Sequence, residues 1–81
     1  MDYNLSRHAM DVMYSRNIKR EWVEEVYKNP SCKHTIAVNE IHYFAMIAEN
    51  NHRCLKVVLN PISMVVITVY FDRNMRKRGC K

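Results

Sequence analysis

The chain has 81 residues, of which 48% are hydrophobic and 26% are charged, a balance typical of a soluble single-core domain and not of a disordered or membrane protein. No apolar run reaches the roughly 18 residues that span a bilayer, and the first residues lack a signal-peptide pattern, so we expect a cytoplasmic protein. The net charge of +5 is concentrated at the C-terminus, because residues 72–81 hold five Lys and Arg against one Asp.

Two short amphipathic helices are predicted in the first thirty residues. Apolar residues recur at helical spacing after Ser6, a good N-cap residue, so the first helix is expected over residues 6–16. Asn17 then suits a left-handed position at the end of that helix. A second apolar stripe begins at Ile18 and stops at Asn29-Pro30, because the residue before proline avoids helical dihedrals. Each helix needs another element on which to pack its apolar stripe.

Four strands are predicted in the rest of the chain, where β-branched and aromatic residues replace the helical period. Short turns rich in Asn separate them, as is usual between antiparallel neighbours. The expected strands are residues 33–38, 41–48, 53–59 and 65–71. The order ααββββ predicts an α+β fold in which two helices cover one face of a four-stranded antiparallel sheet. Residues 1–81 then form one domain, with a basic tail from about residue 72.

Alternation along the strands assigns their side chains to two faces. The set predicted to face the helices is Ile41, Tyr43, Ala45, Ile47, Leu55, Val57, Leu59, Val65, Ile67, Val69 and Phe71. The set predicted on the open face is His42, Phe44, Met46, Cys54, Lys56, Val66, Thr68 and Tyr70. A register error of one residue would exchange the two sets.

Three stretches of the sequence resemble a bacterial family of unknown function, DUF4258. They are LSRHAMDVMYSRNI (residues 5–18), EWVEEVYKNP (residues 21–30) and VVITVYFDRNMRKR (residues 65–78). The family is similar in turn to the RelE/ParE-like toxins of type II toxin–antitoxin systems, many of which are small ribonucleases that need no metal. The resemblance implies a RelE-like domain that acts as a toxin and cleaves RNA.

The chain departs from that family at two positions. Val12 stands where members often carry an arginine one turn after the histidine that His8 matches, and Asn17 replaces a glycine. The first change removes a cation that would belong to a site, whereas the second changes only a turn.

Metal-independent RNA cleavage requires a base for the 2′-hydroxyl proton, a cation for the phosphorane charge and an acid for the leaving oxygen. His and Tyr transfer protons and Arg supplies charge, so the predicted catalytic residues are His8, His42, Tyr70 and Arg73. The predicted RNA-binding residues are Lys56, Phe44 as a base-stacking ring, and Arg76, Lys77 and Arg78 as phosphate contacts. Each of these residues also has a structural interpretation. The histidines would serve as structural hydrogen-bonding groups, Tyr70 as a strand aromatic, Phe44 as a core ring, and the lysines and arginines as solvated cations.

The expected partners are RNA, including mRNA on the ribosome, and an acidic antitoxin-like protein. No membrane partner and no cofactor are expected. The alternative function is a non-catalytic module of the same fold that binds protein or RNA.

A metal site is the weakest of the functional patterns. Cys32 and His34 would share one strand face, and a hairpin would bring His42 opposite them, but the paired Cys-x-x-Cys spacing of structural zinc sites is absent. We therefore predict no metal. The chain has three cysteines, Cys32, Cys54 and Cys80. Because the number is odd and no signal-peptide pattern precedes them, we expect all three to remain reduced.

Overall fold

The computed structural model describes residues 2–73, so Arg76, Lys77, Arg78 and Cys80 lie outside the described residues. Helix α1 (Arg7–Arg16) begins as predicted, because the Ser6 hydroxyl accepts a hydrogen bond from the Ala9 amide at 2.9 Å. Asn17 ends it in the left-handed region with φ 55°. Helix α2 (Arg20–Lys28) ends just before the predicted stop at Asn29. Neither helix in this part of the chain has the length and apolar character to cross a membrane.

The sheet has five strands in the described residues. They are β1 (Asn4–Leu5), β2 (Cys32–Ala37), β3 (Glu40–Ile47), β4 (Arg53–Asn60) and β5 (Val65–Phe71), in the spatial order β1-β5-β4-β3-β2. Strands β2 to β5 form the predicted antiparallel meander. The chain is therefore an α+β protein with two helices and a five-stranded mixed sheet.

The prediction of an entirely antiparallel four-stranded sheet is wrong at one edge. Strand β1 pairs in parallel with β5, and the Asn4 amide donates to the Met64 carbonyl at 2.8 Å while the Ser6 amide donates to the Val66 carbonyl at 3.0 Å. A parallel pair needs a long crossover, which the helices and the meander together provide. Two residues are too few to show an alternating pattern, so this strand has no signal in the sequence.

A bulge in β5 makes the predicted faces of its first half wrong. Thr68 pairs with Val58, but Val66 pairs with the next residue, Leu59, so Ile67 is the extra residue. Val66 is consequently 0% exposed, whereas Ile67, predicted to face the helices, is 39% exposed. The Ser6 hydroxyl donates to the Ile67 carbonyl at 2.7 Å, so the N-cap of α1 also anchors the bulge.

The main core lies between the helices and one face of the sheet. Val69 and the predicted inward residues of β3 and β4 contribute to it, with Ile41 and Phe71 packed at its border. The largest fully buried side chains include Leu55, Leu59, Val23 and Val26. The alternation therefore predicted the helix-facing side correctly for β3, β4 and the end of β5.

The buried Tyr3 gives the fold a predicted dependence on alkaline pH. Burial, and then the hydrogen bond that Tyr3 donates to Glu24 at 2.9 Å, raise the pKa of Tyr3, and burial likewise raises the pKa of Tyr43. A group whose pKa is higher in the folded state contributes stability below its unfolded value, roughly 10 for tyrosine, and loses it as the pH rises. We expect the free energy of unfolding, measured with urea, to fall as the pH increases above about 10.

Tyr3→Phe should make this fall shallower, because it removes one of the shifted phenols. Tyr14→Phe is the matched control, since Tyr14 is 89% exposed. The same pH slope in Tyr3→Phe and in the unmodified protein would contradict the assignment.

Candidate functional site

The sheet face opposite the core, here called the open face, carries a row of four side chains, one from each strand β2 to β5. Cys32 lies opposite Phe44, Phe44 opposite Lys56, and Lys56 opposite Tyr70. Residues directly opposite each other in paired strands share a face and their side chains interact. The structure therefore brings together three of the predicted site residues.

Lys56 is the centre of this row. Its Nζ donates a hydrogen bond to the Tyr70 hydroxyl oxygen at 2.8 Å and lies 5.7 Å from the centroid of the Phe44 ring, within the range of a cation–π contact. Tyr70 is 40% exposed. Because the phenol accepts from Lys56, its own O–H remains available to donate to a ligand. The pair presents a cation and an oriented hydroxyl donor to solvent.

Phe44 occupies a different place from the one its predicted stacking role requires. The ring is 2% exposed and packs with the buried Cys54. The rings of His34 and His42 lie 5.3 and 6.4 Å from its centroid, and Lys56 lies on it as well. Phe44 therefore supports the polar side chains of the open face, and the exposed aromatic ring beside Lys56 is that of Tyr70.

The two predicted catalytic histidines lie on opposite sides of the open face. His42 Nε2 lies 2.6 Å from Glu40 Oε2, and its side chain is 15% exposed. His8 Nε2 lies 3.1 Å from Thr68 Oγ1, with the donor set by the imidazole tautomer. His42 and Thr68 belong to one cross-strand row through Val58, so about two strand spacings, roughly 10 Å, separate their backbones. Within residues 2–73 neither imidazole forms a hydrogen bond to Tyr70.

The open face also carries the residues considered for a metal. His34 lies opposite His42, and Cys32 is two residues away on the same strand face, as the sequence predicts. Within the described residues, however, no three His, Cys, Asp or Glu side chains come close enough to hold an ion. Neither Cys32 nor Cys54 forms a disulfide bond within the described residues.

Beyond the last strand, Arg73 lies at a cleft of about 690 Å³ between the end of α1, the start of β4 and the end of β5. We call it the arginine cleft, and its lining consists of Arg16, Asn17, Ile18, Trp22, Asn50, Arg53, Tyr70, Phe71 and Arg73. Tyr70 thus belongs to both the open face and the cleft. Tyr70 and Arg73, two of the predicted catalytic residues, therefore line the same cleft.

Arg16 and Arg53 are two site residues that sequence reasoning missed. The whole of α2, β2 and β3 lies between them in the sequence, and neither belongs to a charged run. Only the packing of α1 and β4 around β5 brings them to one cleft. The one available signal is that both stand at the ends of predicted elements, where side chains gather at one end of the fold.

Comparison with known proteins identifies one family. No curated protein and no solved structure matches the chain. The family model described as Domain of unknown function (DUF4258) matches residues 5–71, a range that runs from the end of β1 to the end of β5 and includes the whole open face. The chain therefore belongs to the family described as Domain of unknown function (DUF4258).

Proposed function

We propose that this protein binds single-stranded RNA across the open face and cleaves it without a metal ion. In this proposal it is the toxin-like component of a type II toxin–antitoxin system, has a RelE/ParE-like fold and acts in the cytoplasm. The observation that carries the proposal is the hydrogen bond between Lys56 Nζ and the Tyr70 hydroxyl, which holds a cation and a proton donor side by side on an exposed sheet surface.

The reaction that these groups would serve is transesterification. The 2′-oxygen attacks phosphorus and the bond from phosphorus to the 5′-oxygen breaks, giving a 2′,3′-cyclic phosphate and a free 5′-hydroxyl. A base takes the 2′-hydroxyl proton, and an acid gives a proton to the departing 5′-oxygen. Tyr70 is the proposed acid, His42 or His8 the base, and Lys56 and Arg73 stabilise the charge that develops on phosphorus.

The lack of a hydrogen bond between either histidine and Tyr70 within residues 2–73 is compatible with this chemistry. Attacking and leaving oxygens lie on opposite sides of phosphorus in an in-line displacement. The base and the acid then approach from opposite sides of the bound phosphate and need no contact with each other. His42→Ala and His8→Ala distinguish the two possible bases, because only loss of the real base should lower the cleavage rate strongly.

Incubation of the purified protein with end-labelled single-stranded RNA, with and without a chelator, tests the proposal. We expect products with 2′,3′-cyclic phosphate ends whose yield is the same in both conditions. Binding without cleavage would reject catalysis and favour the alternative function. Absence of RNA binding at low salt would reject the proposal altogether.

The alternative is a non-catalytic module of the same fold that binds protein or RNA, and the edge strand β2 favours its protein-binding form. Every residue of β2 after Cys32 is exposed, including Ile36 at 55%, and Val38 just after the strand is 83% exposed. An uncovered strand edge offers amide and carbonyl groups that a partner segment can pair with. An acidic antitoxin-like segment is compatible with both functions, so the RNA experiment decides between them.

A further inference from the structure

The arginine cleft combines Arg73, to which the proposed function already gives a role, with two guanidinium groups that the proposed function does not explain, those of Arg16 and Arg53. We propose that this cleft is a phosphate subsite, in which Arg16, Arg53 and Arg73 bind backbone phosphates of an RNA strand. These phosphates adjoin the nucleotide that lies at Tyr70. The identity of the strand rests on the proposed RNA binding. The anion-binding property itself rests on the cleft alone.

The first argument is that these arginines have no acidic partner in the described part of the chain. The ion pairs there join Lys19 to Glu49, Lys28 to Glu24 and His42 to Glu40. Among residues 2–73 the lining of the cleft contains no Asp or Glu, and the acidic residue adjacent to it in sequence is Asp72, between Phe71 and Arg73. Unneutralised cations around one concave surface concentrate positive potential in it, and an anionic ligand relieves their mutual repulsion.

The second argument is that Glu49, the acidic residue on the turn beside the cleft, is hydrogen-bonded to groups other than these arginines. Glu49 precedes Asn50 in the turn that forms part of the cleft wall. Its carboxylate accepts hydrogen bonds from Lys19 Nζ and from Trp22 Nε1, both at 3.3 Å. Glu49 is therefore engaged on the α2 side of the cleft.

The third argument is that packing positions the Arg53 guanidinium before any ligand binds, and that a helix cap fixes the backbone of Arg16. The Arg53 guanidinium carbon lies 4.8 Å from the centroid of the Phe71 ring, within the range of a cation–π contact. Arg16 is the last residue of α1, held by the cap at Asn17, whose amide donates to the carbonyls of the preceding turn. A planar fork of donors in a fixed place suits bidentate phosphate binding.

The size and position of the cleft indicate what kind of anion it takes. Its volume of about 690 Å³ lies within the 300–1,000 Å³ range of small-molecule sites, so it accommodates a phosphate with its sugar. Tyr70 contacts Lys56 on one side and lines the cleft on the other. An RNA strand with one nucleotide at Tyr70 would therefore place the adjoining phosphate among the arginines.

A direct test uses Trp22, which is the only tryptophan of the chain and lines the cleft. Inorganic pyrophosphate is titrated into the full-length protein at constant ionic strength, and the tryptophan fluorescence is recorded. We expect a saturable change, with affinity weakened roughly tenfold or more in Arg16→Ala and in Arg53→Ala, as for loss of a charged hydrogen bond. Arg7→Ala is the matched control, because Arg7 is at the other end of α1, roughly 14 Å away.

A second measurement separates this inference from the proposed function. The affinity for single-stranded RNA is measured against salt concentration, and each of Arg16→Ala and Arg53→Ala should lower the log–log slope by about 0.7. No saturable fluorescence change, or equal pyrophosphate affinities in Arg16→Ala and Arg7→Ala, would overturn the subsite. Saturable pyrophosphate binding without RNA binding would keep the subsite and reject the RNA function. Arg16 is exposed, so its variant decides the question even if Arg53→Ala disturbs the packing on Phe71.

Discussion

Replacing Tyr70 by Phe should lower the rate of RNA cleavage by roughly 10²–10⁴-fold, the usual contribution of one proton-transfer group. The change removes only the hydroxyl that Lys56 orients at 2.8 Å and leaves the ring in place. Tyr70 is 40% exposed, so the fold should tolerate the loss. RNA affinity should change little, because the aromatic surface and the arginines remain.

Single-turnover cleavage of a labelled RNA measures this effect, with circular dichroism as the check on folding. Tyr14→Phe is the control for loss of a phenol on the surface of the same protein, since Tyr14 is 89% exposed. In bacterial cells, expression of the unmodified chain without a partner should arrest growth, and Tyr70→Phe should relieve the arrest. Cleavage at the original rate in Tyr70→Phe would remove Tyr70 from the mechanism.

Val66→Asp should lower the free energy of unfolding by about 3–5 kcal/mol, the typical cost of an uncompensated buried charge. Val66 is 0% exposed and belongs to the main core because of the bulge at Ile67. Small domains have total stabilities of about 5–15 kcal/mol, so this variant should lose a large fraction of its free energy of unfolding.

Ile67→Asp is the matched control on the adjacent residue, with the same new side chain and the same loss of strand propensity. Ile67 is 39% exposed, and its carbonyl, which accepts from Ser6, is unchanged by the substitution. We expect a loss of about 1 kcal/mol or less. Urea unfolding of the two variants checks the bulge, because uninterrupted alternation in β5 predicts the opposite order of effects.

The parts of the fold that follow from local rules could be predicted from the sequence. Ser6 caps α1 and Asn17 ends it because each residue type favours the required dihedral angles or hydrogen bonds. The faces of β3 and β4 follow from strict alternation, since these two strands pair with each other without a register shift. The contact between Lys56 and Tyr70 follows from the same alternation once β4 and β5 are neighbours.

The remaining features depend on contacts between distant parts of the chain. The bulge at Ile67 is stabilised by Ser6, 61 residues away, so the sequence of β5 alone does not show it. Phe44 looks like an exposed ring by alternation, but it is covered by His34 and Lys56 on the two neighbouring strands and by His42 on its own strand. The arginine cleft likewise exists only after α1 and β4 pack around β5.

The parallel pairing of β1 with β5 has a consequence for the order of events during synthesis. Strand β1 is synthesised first but cannot pair until β5 has been synthesised. The reason is that the Asn4 amide donates to the Met64 carbonyl and the Ser6 amide donates to the Val66 carbonyl. Proteins are synthesised at about 5–20 residues per second, so a nascent chain spends seconds with β1 unpaired and its sheet incomplete. The partner of Lys56 and the wall that carries Arg73 are then still missing. A newly made polypeptide should therefore be inactive toward RNA until its final strand has emerged.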